Sequence, residues 1–205
     1  LPTENNVLKT FSIENEPVVE LVNNREREYI FADLPDIGYS TDIDTVMASS
    51  YQVKKQLQQI VRIEQPITNT LLYKRILRIW NLTRVTTRLQ VFIDSLLEDA
   101  YKDPLSGDTI IYWENKEKAK DCDFYRINSK RDILDIPILE VMSAARYAIE
   151  QQISMPIEDL KRLTSQLLGF SRKGNNLDMV TEQTIQLLIN KGIFSHANGM
   201  VSMNN

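Results

Sequence analysis

The chain has 205 residues, 42% of them hydrophobic, which is enough for a buried core and sets disorder aside as the default. A formal net charge of -4 excludes neither nucleic acid nor protein as a partner. The single cysteine, Cys122, excludes an internal disulfide, and no apolar run approaches the roughly 20 residues that span a bilayer.

The charge is unevenly placed. The first fifty residues hold 10 acids and 3 bases, which leaves 18 acids and 21 bases for the remainder. Residues 1–46 therefore read as an acidic, extended leader or linker. Within it, residues 17–22 and 28–31 have the composition of short strands, with Asn23-Asn24 as a turn between them. Pro35, Gly38 and residues 40–42 read as loop. The start has no basic-then-apolar signal pattern, and it opens on Leu1 rather than methionine. The expectation is a cytoplasmic piece of a longer protein.

From about Met47 the apolar period becomes helical, with Val53, Leu57, Ile60 and Val61 on one stripe. Pro66 ends that helix. A second helix is predicted from about Asn69 to Trp80, burying Leu72, Ile76, Ile79 and Trp80, with Lys74, Arg75 and Arg78 opposite. Thr83 is the predicted N-cap of a third helix. Val85, Leu89, Phe92 and Leu96 form its inner stripe, and Arg84, Thr87, Arg88 and Val91 its outer side. Residues 103–108 are turn chemistry and residues 109–113 a β-type run. Three helices and a hairpin, over 47–113, are the plan of a winged helix.

Residues 114–135 are polar and read as a linker. Residues 136–205 repeat the order. Pro137 opens a helix with Ile138, Val141, Met142, Ala145 and Ile149 inside, and Pro156 breaks it. Leu160, Leu163, Leu167 and Leu168 mark the next helix, and Leu177, Val180, Thr184, Leu187 and Leu188 the third. Lys191-Gly192 stops it, and Asn198-Gly199 joins two strands, a strong hairpin signal. Residues 82–84 echo residues 170–172, and Leu89 echoes Leu177 at the same offset. The predicted fold is mainly α with small β-hairpins, a tandem winged-helix pair behind an acidic segment.

Pro66-Ile67, Leu72, Arg75, residues 82–84, Arg88, residues 135–137, residues 158–160 and residues 168–174 carry a resemblance. Over roughly residues 50–190 the chain resembles the domain of unknown function numbered 3320. The resemblance implies parentage: an accessory domain near the C-terminal end of a large bacterial protein with a superfamily-one helicase-like ATPase core, often beside a nuclease-like domain. It supplies no catalytic residue.

The residues themselves point away from catalysis. There is no GxxxxGK[ST] phosphate loop, and one Cys with one His cannot build a structural zinc site. No cofactor, metal or small-molecule substrate is expected, and any ATPase activity would belong to the parent. Residues 169–174 read as a helix-to-helix turn. Cys122, flanked by Asp121 and Asp123, is unsuited to a reactive thiolate. The pairs Glu98-Asp99 and Asp121/Asp123 read as solvated faces, with magnesium binding the sharper alternative. His196 reads as an exposed residue at the wing tip, with phosphate contact the sharper alternative.

No acid lies between Glu64 and Asp94, where Lys74, Arg75, Arg78, Arg84 and Arg88 cluster. A third helix in the major groove, with nearby cations on phosphates, is the helix-turn-helix arrangement. Duplex DNA is thus the expected partner, met by those five residues with Thr87 and Gln90. Arg172 and Lys173 are secondary because Asp178 and Glu182 follow them. Helices also carry Lys and Arg as an ordinary wet face, and winged helices often bind proteins. The alternative is therefore a scaffold that docks the ATPase core or another partner. DNA binding requires the five cations exposed on one face, whereas capture by leader carboxylates favours the scaffold. If the leader masks this face as a DNA mimic, deleting residues 1–46 strengthens binding.

Overall fold

The computed structural model describes residues 23–39, 41–103, 109–120, 122–127 and 130–204. The strand expected at 17–22 and most of the turn at 103–108 lie outside these residues. The protein is a mixed α/β structure, mainly helical, with small antiparallel sheets.

The leader is not a passive linker from Asn23 onward. Glu26–Glu28 forms β1, which pairs in parallel with a later strand, and Tyr29 and Ala32 are buried. A short helix, α1 (Ile43–Ala48), is capped by Asp42, whose carboxylate accepts from the Thr45 amide at 2.8 Å.

α2 (Ser50–Glu64) buries Val53, Leu57, Ile60 and Val61 and stops before Pro66, as its stripe and the proline predict. Ile67–Thr68 then pairs as β2, a strand too short to leave a period in the sequence. Thr68 caps α3 (Asn69–Ile79) by accepting from the Leu71 amide at 3.2 Å. α3 closes through Asn81 in the left-handed region, with the Leu82 amide bonded to the Leu77 carbonyl at 2.9 Å. The extended residues that follow carry the next helix start past the predicted Thr83. α4 (Thr87–Leu96) is capped by Thr86, which accepts from the Leu89 amide at 3.2 Å. That phase buries Leu89 and Ile93 and leaves Phe92 and Leu96 as flanks.

β3 (Tyr101–Asp103) and β4 (Ile111–Trp113) complete a sheet of order β2-β4-β3. Successive residues of β4 face opposite sides. Tyr112 enters the core of α1–α4, while Ile111 and Trp113 pack with Leu139 at the junction to the second half.

The stretch predicted as a linker is structured. It holds α5 (Lys116–Lys120), β5 (Tyr125–Ile127, the partner of β1) and a 3-10 turn at Ile133–Asp135. Tyr125, Ile133 and Ile136 belong to a core cluster with Val141, Ala144, Leu168 and Leu177. α6 (Ile138–Glu150) is buried around most of its circumference, and β6 (Met155–Pro156) follows it. α7 (Ile157–Leu167), α8 (Asn175–Asn190), β7 (Phe194–Ala197) and β8 (Met200–Met203) complete the second half, with sheet order β6-β8-β7. Asn198 (φ 53°) and Gly199 (φ 75°) form the hairpin turn, and two positive φ values in a two-residue loop match strand twist. The order helix, short strand, helix, helix, hairpin thus occurs in both halves.

Candidate nucleic-acid interface

α3, α4 and the turn between them hold the first-half cations that the sequence singled out. Arg84 is exposed in the turn before α4, and Thr87 and Arg88 are exposed in the first turn of that helix. Gln90 is half-buried. Arg78 is exposed on α3, its guanidinium 6.0 Å from the Phe31 ring. Lys74 is exposed but donates to both oxygens of Asp135, at 2.7 and 2.8 Å. Arg88 is paired with Asp44 of α1 at 2.7 Å. The one acid of α4, Asp94, is turned inward, accepting from the hydroxyls of Tyr73 and Tyr112 at 2.8 and 2.9 Å. The outer side of α4 therefore presents Thr87, Arg88, Val91 and Ser95.

Arg75 is a correction: the expected phosphate contact is 5% exposed. It pairs with Glu64 at 2.8 Å, donates to the Ala32 carbonyl and lies 3.4 Å above the Phe31 ring. At about 100° per residue Arg75 sits only ~40° from Ile79 on the wheel, at the border of the apolar arc rather than opposite it. The condition of five exposed cations on one face is thus not met: four side chains are exposed, and two of them are ion-paired, Arg88 with the leader's Asp44.

Arg75 belongs to a buried charged network that the sequence reading missed. Glu64 also accepts from the Tyr29 hydroxyl and, at 3.1 Å, from the Ala32 amide. Beside it, Glu140 of α6 accepts from Arg126 and Arg131. Arg126 contributes its amide at 3.0 Å, Nε at 3.1 Å and Nη2 at 2.5 Å, and Arg131 donates at 2.8 and 2.9 Å. Arg126 further donates to the carbonyls of Glu64 and Pro66 at 2.7 and 2.6 Å, so it ties the end of α2 to α6. Burial alone would raise the Glu140 carboxyl, but Arg126 and Arg131 outweigh it and hold the carboxyl below its ordinary range. Burial, with Glu64 next, pushes the Tyr29 phenol up. A signal existed for Glu64: it falls seven, four and three residues after Leu57, Ile60 and Val61, on their apolar stripe.

In the second half, Arg172 and Lys173 are exposed in the turn before α8, rather than on it. They line a cleft of ≈ 310 Å³ with Phe170, Glu158 and Asp178. Lys161, at 7% exposure, is held by Glu158, Asp178 and Glu182 at 3.3, 3.0 and 2.9 Å. Its neighbours outweigh the burial that would lower its pKa and raise it instead. The outer side of α8 carries Asp178, Met179, Glu182, Gln183 and Gln186, an unfavourable face for phosphate.

Among the remaining residues, His196 is exposed on β7. Asp99 pairs with Lys54 at 3.2 Å, and Asp123 pairs with Arg25 at 3.0 Å and Arg146 at 3.3 Å; Asp121 lies outside the described residues. The Cys122 thiol is pushed up to about 12, chiefly by burial and then by Glu140. Its flanking acids are not the main cause. Among the described residues no three of His, Cys, Asp and Glu converge as a metal-binding group.

The chain is thus a mixed α/β protein with exposed cations along α3 and at the start of α4, and no helix among its described residues is long and apolar enough to cross a membrane. Residues 48–91 match the family model described as "Protein of unknown function (DUF3320)", the family that the sequence resemblance named. The match runs from the end of α1 into α4, a shorter span than the resemblance covered, and includes every first-half candidate residue. No curated protein and no solved structure matches the chain.

Proposed function

We propose that this is a non-catalytic nucleic-acid-binding module of two winged-helix units, the first of which grips duplex DNA through the N-terminal edge of α4. The order helix, strand, helix, helix, hairpin, with the last strand central in each sheet, supports the winged-helix reading. In that plan the third helix meets the major groove with its N-terminal residues. The observation that carries the function is the grouping of exposed Arg84, Thr87 and Arg88 at this end of α4, with the helix's one carboxylate turned inward. The free amides of a helix N-terminus favour phosphate there. Lys74 and Arg78 add flanking charge, and Arg172 and Lys173 occupy the corresponding turn of the second unit.

In this account the module orients duplex DNA for a larger cytoplasmic, helicase-type parent that supplies any chemistry. Anisotropy of labelled duplex DNA at two salt concentrations tests it. Salt-sensitive binding that is lost in an Arg84→Glu, Arg88→Glu double variant supports the grip.

A second reading is a protein-docking scaffold. Its specific support is that Arg88 and Lys74 are engaged by Asp44 and Asp135, carboxylates from outside the α2–β4 unit. Absence of DNA binding at low salt, both in wild type and in an Asp44→Asn variant that frees Arg88, would select it.

A further inference from the structure

One of the two carboxylates paired with the basic edge, Asp44, comes from the chain's own leader. Residues 31–44 run over the end of α3 toward α4, with residue 40 outside the described set. Phe31 lies under Arg75, the Ile37 amide donates to the Ile79 carbonyl at 3.0 Å, and the Thr41 hydroxyl donates to the Trp80 carbonyl. Asp33 and Asp36 share a cleft of ≈ 240 Å³ with Arg78. The segment ends at α1, where Asp44 meets Arg88 at 2.7 Å. Asp33, Asp36 and Asp44 thus lie against α3 and α4, whose run from residue 65 to residue 93 holds no acid of its own.

We propose that this segment is an acidic strap that masks the phosphate-binding edge, and that duplex DNA binds by displacing Asp44 from Arg88. The inference rests on the reading of α4 as a DNA grip and adds its regulation. The two halves of the strap differ in kind. Phe31 is held by Arg75, Ala32 by the core and Ile37 by its bond to Ile79, so residues 31–37 stay in place. Asp44 and Arg88 are 73% and 57% exposed, so their pair is open to solvent and exchangeable. A phosphate approaching Arg88 replaces one anion by another, and the Asp44 carboxylate left behind repels it. Deleting residues 1–46 is therefore the wrong test, because it removes core side chains along with the strap.

The test is DNA binding by the full chain bearing Asp44→Asn, followed by anisotropy of a labelled duplex at low salt. α1 keeps its Asp42 cap, so the variant folds, and its thermal melt checks this. Glu117→Gln, on exposed α5, carries the same change in net charge. The expected result is about two- to five-fold tighter binding for Asp44→Asn, little change for Glu117→Gln, and loss of the gain in an Arg88→Gln background. Binding by Asp44→Asn where wild type shows none supports the mask equally. Equal affinity of wild type, Asp44→Asn and Glu117→Gln overturns the strap and leaves the DNA grip standing. No binding by any variant overturns both.

Discussion

Arg75 and Glu64 meet 2.8 Å apart in the core, where α3 packs on the end of α2. The pair takes from the surface a cation that the sequence placed there, and it makes Arg75 a structural residue. Removing one partner of a buried pair leaves an uncompensated charge, which costs about 3–5 kcal/mol. Arg75→Met should therefore lower the unfolding free energy by about 3 kcal/mol in urea titrations. A loss below about 1 kcal/mol would mean that Glu64 is satisfied by Tyr29 and Ala32 alone.

Glu140 gives the pH dependence. Its carboxyl is held below the ordinary value of 4.5, so on acidification the unfolded chain takes up the proton first. The stability it contributes is present above about pH 4.5 and drains away as pH falls through the lower, folded value. Urea midpoints measured from neutral pH downward should fall on the acid side. Glu140→Gln should be less stable at neutral pH and should lose part of that acid slope. Parallel acid limbs in the two proteins would contradict the assignment.

The start of α4 is open to a direct comparison. Thr86→Ala should cost about 1 kcal/mol by removing the acceptor for the Leu89 amide. Thr83→Ala, at an exposed turn position, should stay within about 0.5 kcal/mol of wild type. The reverse ranking in thermal melts would restore the helix start read from the sequence.

Cys122 should behave as an inert thiol. Burial holds it up to about 12, so thiolate is scarce near neutrality. A colorimetric disulfide reagent should react slowly with the native chain at pH 8 and rapidly in denaturing urea. Fast labelling of the native protein would place Cys122 nearer solvent than the structure does.

What was legible in the sequence followed periodicity and punctuation. The α2 stripe, the break at Pro66 and the Asn198-Gly199 turn all lie where local chemistry puts them, whereas α6 already ends at Glu150 and Pro156 instead precedes α7. Leu89 and Leu177 hold the same third position in α4 and α8, as their offset suggests. What was not legible depends on distant partners. β2 and β6 are two residues each and exist only because β4 and β8 pair with them. The polar stretch at 114–135 reads as a linker until Glu140 and the carbonyls near Pro66 give Arg126 and Arg131 somewhere to go. Likewise Arg88 reads as a free cation because its partner, Asp44, lies on a separate helix.

The central claim is that duplex DNA meets the N-terminal edge of α4. The most direct measurement is a two-dimensional ¹⁵N amide titration of the full chain with a short duplex at low salt. The account predicts the largest shift changes at residues 84–91, with smaller ones at Lys74, Arg78 and Asp44. Changes centred on α8, or a spectrum unmoved by excess duplex, would contradict it.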